Sequence, residues 1–210
     1  MSSVYSWSVR GKESDVWTYQ WDKSINPQEA ITYAIQPVDD GLDIVCAGPP
    51  FSGALAKHVG RLPYPSTRIV SSYTFRFGSN IKYGQVVEFD RKFTDAHGWT
   101  YNGSTQWNIA QGWEFQIGNW TNTGIFGEFV QDAWNAVEIE QALDYTAHTL
   151  TFVSVAVNGI KSTPINQAPI PATQEGWDIN QIVLQAQLCT GEKGGAYGVR
   201  FVGIGDSGTA

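Results

Sequence analysis

Glu88 and Asp90 lie two residues apart in Val87-Glu88-Phe89-Asp90-Arg91-Lys92-Phe93, where apolar and polar residues alternate. On a strand, residues two apart share a face, with Cα atoms about 6.8 Å from each other. Carboxyl pairs held roughly 5–5.5 Å apart serve retaining glycosidases, and pairs about 6.5–9.5 Å apart serve inverting ones. Glu114 adds a third carboxylate, about 4.8 Å across the sheet if its strand adjoins that of Glu88. Glu88, Asp90 and Glu114 are therefore the candidate catalytic groups.

The same alternation turns Gln106 and Asn108 outward in Thr105-Gln106-Trp107-Asn108-Ile109, and Glu114 and Gln116 outward in Trp113-Glu114-Phe115-Gln116-Ile117. Gln185 and Gln187 stand at the same spacing further on. Carboxylates and carboxamides hydrogen-bond sugar hydroxyls. The candidate ligand-binding set is Arg76, Glu88, Asp90, Gln106, Asn108, Glu114, Gln116, Gln185 and Gln187. Any one of these acids is explained as well by a wetted strand face with a cross-strand partner such as Arg76 or Lys92. The set as a whole is not, because Lys and Thr are nearly missing from it.

The elements that must position these groups are strands. Period-two runs predict Ile31–Gln36, Leu42–Ala47, Ile69–Phe77, Gln85–Phe93, Thr105–Ile109, Gly112–Trp120, Asn135–Leu143, Leu150–Val157, Ile182–Cys189 and Gly198–Ile204. Val87, Phe89, Trp107, Trp113, Phe115, Ile117, Val137 and Ile139 fall on their apolar sides and are expected in the core. Asp40-Gly41 and Asn158-Gly159 mark hairpin turns. Residues 1–30 are expected to be an irregular N-terminal segment, and residues 48–68 a long loop. Gly191-Glu192-Lys193-Gly194-Gly195 reads as a mobile hairpin tip, too short for a phosphate loop. So many strands exceed what one open sheet carries, and two antiparallel sheets packed face to face result. Residues 1–210 are taken as one domain, since no linker composition divides them.

A net charge of −7 with only 13 Lys and Arg lacks the basic footprint of a nucleic-acid or anionic-membrane partner. No apolar run approaches a membrane span. The N-terminus has neither a basic start nor an apolar stretch, so the chain is expected in the cytoplasm as it stands, or secreted if a leader has been trimmed from it. Cys46 and Cys189 read onto opposite strand faces and should not be bridged. His58, His97 and His148 have no ligand spacing, so no metal site is assigned. Asp39, Asp40 and Asp43 could hold Ca²⁺, though an acidic hairpin turn accounts for them without an ion. No other cofactor is implied. Of the nine tryptophans, Trp107 and Trp113 face the core, while Trp99, Trp120 and Trp177 lie near strand ends where a ring could stack on a sugar.

Asp132-Ala133-Trp134-Asn135-Ala136-Val137-Glu138-Ile139-Glu140, then Thr149–Phe152, Val155-Ala156-Val157-Asn158-Gly159 and Tyr197–Gly203 resemble the concanavalin A-like lectin/glucanase superfamily, in particular its laminin-G-like members. The likeness covers about residues 69–205. It implies an all-β fold: a jelly-roll β-sandwich of two antiparallel sheets, one of them concave and carrying the ligand site. The laminarinase-like members carry three acids in the pattern E-x-D-x-E or E-x-D-x-x-E. Here Glu88 and Asp90 are followed by Arg91, Lys92 and Phe93, without the third acid. The Arg-x-Glu and Gln-x-His strands of the alginate lyases of this fold are missing too.

The leading expectation is non-catalytic recognition of a carbohydrate on the concave polar face, so the expected partner is a glycan or small-molecule ligand. The alternative is an enzyme in the same cleft: a glycoside hydrolase, a polysaccharide lyase, or a cyclase or isomerase acting on a non-sugar small molecule. A third is an interaction domain whose polar face is merely solvated.

Overall fold

The computed structural model describes residues 3–10, 17–21, 32–38, 41–50, 53–61, 66–78, 80–126, 129–164, 168–174, 176 and 181–209. Their strands, in chain order, are β1 (Ser3–Arg10), β2 (Trp17–Trp21), β3 (Thr32–Val38), β4 (Gly41–Gly48), β5 (Gly53–Arg61), β6 (Arg68–Phe77), β7 (Gly84–Thr94), β8 (Thr100–Asn108), β9 (Gly112–Ile117), β10 (Asn119–Asn122), β11 (Trp134–Asp144), β12 (Thr149–Val157), β13 (Ile160–Ser162), β14 (Ile170–Pro171), β15 (Gln181–Thr190) and β16 (Gly195–Thr209). A 3₁₀ turn, Ile81–Tyr83, precedes β7. The strands form two sheets. One runs β13-β12-β11-β6-β16-β4-β3, with β1 beside β16 and β14 beside β12; the other runs β10-β9-β8-β7-β15-β5-β2. All pairings between them are antiparallel.

Alternation dictates what lies between the sheets. Val87, Phe89 and Phe93 of β7 pair in register with Trp107, Thr105 and Tyr101 of β8, and all six are buried. Trp113, Phe115, Val137 and Ile139 join them, whereas Ile117 is only half-buried at its strand end. Phe115 stacks on Phe152 from the opposite sheet at 3.7 Å between ring centroids. Phe129, just ahead of β11, plugs one end of the core, with centroids 4.8 Å from both Phe75 and Trp107. Each such aromatic pair contributes about 0.5–1.5 kcal/mol beyond the area it buries.

The Trp134-Asn135 and Asn158-Gly159 motifs hold that plug in place. Asn135 accepts from the Val130 amide at 2.8 Å and donates to the carbonyls of Val130 and Ala133 at 2.9 Å. Asn158, in a turn with φ of 50° and 83° at Asn158 and Gly159, donates to Asn135 Oδ1 at 3.0 Å and accepts from the Ala136 amide at 2.9 Å. Two positive φ values in succession are the hairpin geometry that Asn-Gly favours.

Four expectations are corrected. Residues 1–30 hold two strands, β1 against β16 and β2 against β5. The expected 48–68 loop holds β5, which pairs with β15 and β2. The run Gly112–Trp120 is a hairpin, because Gly118, at φ 75°, turns β9 back into β10. The Gly191–Gly195 tip is tied down: the Gly191 amide donates to Tyr83 O at 2.8 Å and the Gly194 amide to Gly191 O at 2.9 Å. Cys46 and Cys189 form no disulfide and are buried on different sheets, and burial pushes the Cys46 thiol up to about 12.

Beneath β7 the core turns polar. Arg91, which alternation places inward with Phe89 and Phe93, is buried there, its guanidinium 5.8 Å from the Phe93 ring centroid. Its cross-strand partner is Gly103. A Cβ on Gly103 would sit 2.0 Å from Gln141 Nε2, so only glycine leaves room for the buried Gln141, which donates to Gly103 O at 3.3 Å.

Candidate functional site

The outward face of the second sheet collects the expected groups by register. Glu88 stands opposite Gln106 on β8 and Gln187 on β15. Gln106 in turn stands opposite Glu114 on β9, and Glu114 opposite Asn122 on β10. One row therefore crosses five strands as Gln187, Glu88, Gln106, Glu114 and Asn122. The next row holds Gln185, Asp90 and Ser104. Gln116 faces Trp120, and Asn108 faces Val86. For Gln185 and Gln187 the register alone is described.

Two placements differ from expectation. Glu114 is not on the strand next to Glu88: β8 intervenes, so their Cα atoms are about 10 Å apart, two strand spacings. Arg76 does not belong to this face. It lies on β6 in the other sheet, opposite Arg200 and Trp134, with its guanidinium 5.6 Å from the Trp134 ring centroid. Alternation assigns a side of a strand and is silent about which sheet the strand joins. The cation beside the acids is Lys92, whose charge acts on Asp90.

The face is sunken. Asp90, Gln106 and Glu114 are each 6 % exposed and Asn108 is 8 % exposed, while Glu88, Lys92, Asn102 and Gln116 are half-buried. Glu114 Oε2 accepts from Gln106 Nε2 at 2.5 Å and from Asn108 Nδ2 at 3.4 Å. Asn108 Oδ1 accepts from the Ala110 amide at 3.0 Å, which fixes its amide orientation. Burial pushes the Asp90 carboxyl up to about 6; hydrogen bonds with Glu88, Ser104 and the Thr105 backbone, and the Lys92 charge, pull the other way without cancelling it. Asp90 thus carries a proton part of the time near neutral pH, next to a second carboxyl group.

At the Asn108 end the face opens into a cavity of about 400 Å³. Its walls are the 3₁₀ turn and the start of β7 (Lys82, Tyr83, Gly84, Gln85), the β8–β9 turn (Asn108 to Gln111) and the tip Gly191 to Gly194. Tyr83 is exposed, and its ring lies against Gly195, where a Cβ would come within 2.9 Å. The Lys82 ammonium sits 5.2 Å from the Tyr83 ring centroid. None of these residues except Asn108 was among the sequence candidates. The signal was the run Gly191, Gly194 and Gly195: the missing side chains of Gly191 and Gly195 let the tip press against residues 83–84, and that of Gly194 lets it press against Gly48 and Pro49.

Of the remaining candidates, Trp120 shares the face, opposite Gln116 and two residues from Asn122 on β10, and the others stand apart. Trp120 is half-buried on β10 and Trp99 half-buried near the other end, stacked on His148 at 4.0 Å between centroids. Trp177, Asp39 and Asp40 lie outside the described residues. Asp43, the third acid of the possible Ca²⁺ turn, receives both Nε (2.6 Å) and an Nη (2.8 Å) of Arg200. Among the described residues there is no group of three or more His, Cys, Asp or Glu able to hold a metal ion, and no helix is long and apolar enough to cross a membrane.

No protein-family model and no curated protein sequence matches the chain. Solved structures do match it in fold. Lectin II from Ulex europaeus superposes with a TM-score of 0.54 over 100% of both chains at 8% identity. Peanut lectin gives 0.51 over 100% of this chain and 98% of its own at 11% identity. An alginate lyase gives 0.53 over 96% of each chain at 11% identity. The fold is thus a lectin-like β-sandwich of two antiparallel sheets, shared with these lectins and the alginate lyase.

Proposed function

We propose that the chain binds a carbohydrate along the polar face of the second sheet. The observation that carries this is the ladder Glu88, Gln106 and Glu114 with Asn108. Its amides and carboxylates are aligned by strand register and locked by mutual hydrogen bonds before any ligand arrives. Fixed donors and acceptors of this kind match the vicinal hydroxyls of a sugar, and pre-organisation lowers the entropy lost on binding. The lectins and the alginate lyase of the same fold support the reading by analogy of architecture. A glycan array on the wild-type protein should give hits. Gln116→Ala, which removes a half-buried amide from the face, should weaken the best of them by about 1–3 kcal/mol. An array without hits, or hits indifferent to this change, would sink the reading.

A carboxylate-dependent enzyme in the same cleft is the second reading, favoured by the Glu88–Asp90 contact and by the Asp90 value of about 6. A poised acid beside an acceptor is what general acid–base chemistry uses. Glu88→Gln separates the two. In a binder it lowers affinity modestly, because the amide still hydrogen-bonds. In an enzyme it should cost on the order of 10²–10⁴-fold in turnover with binding largely kept.

A further inference from the structure

We infer that the cavity at the Asn108 end is the principal sugar subsite, and that it takes a saccharide bearing an acidic substituent, a carboxylate or a sulfate, through Lys82 and Lys193. The inference rests on the carbohydrate reading above and names its substrate class.

Accessibility is the first ground. The floor of the polar face offers a ligand little area, since Asp90, Gln106 and Glu114 are 6 % exposed. The cavity is open, continuous with that floor through Asn108, and at about 400 Å³ lies in the usual range of small-ligand sites. Its lining is the second ground. Gln85, Asn108 and Gln111 bring carboxamides, which can both donate to and accept from sugar hydroxyls. Tyr83 brings an exposed ring.

Charge decides the class. Along the floor run Glu88, Asp90 and Glu114, which repel an anion. The cavity reverses that sign: two ammonium groups, Lys82 and Lys193, line it against one carboxylate, Glu192. The chain as a whole carries −7, so a net positive lining is not its background; the smaller cavity beside Asp43, Arg76 and Arg200 shares the excess, but there Arg200 is committed to Asp43 and Arg76 lies over Trp134. Lys82 is also placed rather than free to wander, held 5.2 Å from the Tyr83 ring centroid. A ligand combining hydroxyls with one anionic group fits only in one sense, with its hydroxyls toward the floor and its acidic group toward Lys82 and Lys193.

The test is an array of glycans on matched backbones, neutral in one series and carrying uronate or sulfate in the other, followed by titration of the best hit at low and high salt. The acidic series should dominate the hits, and affinity should fall as salt rises. The double variant K82Q/K193Q, changed only at exposed side chains, should lose on the order of tenfold and bind the acidic and neutral forms alike. Gln111→Trp, which fills the cavity from its exposed rim, should abolish binding, with a melting curve confirming that the protein is folded. Preference for neutral glycans, or an unchanged K82Q/K193Q, overturns the inference. Neutral hits that Gln116→Ala weakens and Gln111→Trp leaves intact overturn it while sparing the carbohydrate reading. No glycan bound in either series overturns both.

Discussion

Asp90→Asn should make the protein more stable at neutral pH, and by a calculable amount. In the folded state burial holds the Asp90 carboxyl at about 6, above its ordinary 3.8. The folded chain therefore binds more protons than the unfolded chain between those values. Stability falls as the pH rises through that window and stays reduced above it. From the two values, ionising Asp90 costs the fold roughly 3 kcal/mol at pH 7.5 and a small fraction of that at pH 4. Asparagine is nearly isosteric and has no charge to desolvate. The effect of the substitution on unfolding free energy should therefore be roughly 2 kcal/mol more favourable at pH 7.5 than at pH 4. Urea unfolding of both proteins at the two pH values measures this double difference. Groups unaffected by the substitution cancel in it. Glu140 is one: burial would raise it, but Lys161, Ser154 and Arg68 outweigh burial and hold it below its usual range, so its contribution is lost as pH falls. A double difference near zero, or one of the opposite sign, would show that Asp90 is not held protonated by burial.

Two further substitutions test the packing that supports the face. Gly103→Ala drives a methyl group into Gln141 Nε2 and should cost about 1–3 kcal/mol by chemical denaturation, with much of the loss recovered in the double variant Gly103→Ala/Gln141→Ala. Asn135→Ala removes hydrogen bonds to Val130, Ala133 and Asn158 at a buried position. It should cost about 1–3 kcal/mol, with Asn158→Ala adding less than its own single effect, because the two side chains share one network.

Period two located β3, β4, β6 to β9, β11, β12, β15 and β16; in β6, β7, β8, β9, β11 and β12 one face packs into the core and the other is wetted or polar. The same signal could not find β5. Gly53-Ala54-Leu55-Ala56-Lys57-His58-Val59-Gly60-Arg61 is framed by glycines and follows two prolines, and it becomes a strand through pairing with β15 and β2, both remote in sequence. Tertiary pairing overrides local preference there. β1 and β2 were hidden for the same reason. Which side Glu88, Gln106 and Gln116 take was legible from spacing; which sheet Arg76 joins was not. The neighbour relation of Glu114 was half legible. The short Asn108–Gly112 turn ties β9 to β8, and that leaves no place for β9 beside β7. The cavity went unseen because Lys82, Gln111 and Lys193 come from three separate turns, and no spacing rule connects them.

Depth is what the alternating pattern cannot express, and depth is the strongest structural argument for a site. β8 is buried along both faces: Tyr101, Thr105 and Trp107 toward the core, and Thr100, Ser104, Gln106 and Asn108 on the other side. A strand buried on both faces ordinarily reads as a continuous apolar run. Stability alone would favour that outcome here, because a buried hydrogen-bonded amide contributes no more than an apolar group of the same shape, and a buried carboxylate contributes less. The chain instead keeps Asp90, Gln106, Asn108 and Glu114 in one sunken patch spanning three rows, and one of them is held near 6 at the expense of the fold. The substitutions that would relieve this cost are small and numerous. Stored unfavourable free energy of this kind clusters where a protein must meet something else. The sunken patch therefore supports the proposed carbohydrate site, with the cavity at its end, rather than its buried and mutually bonded floor, left to receive the ligand.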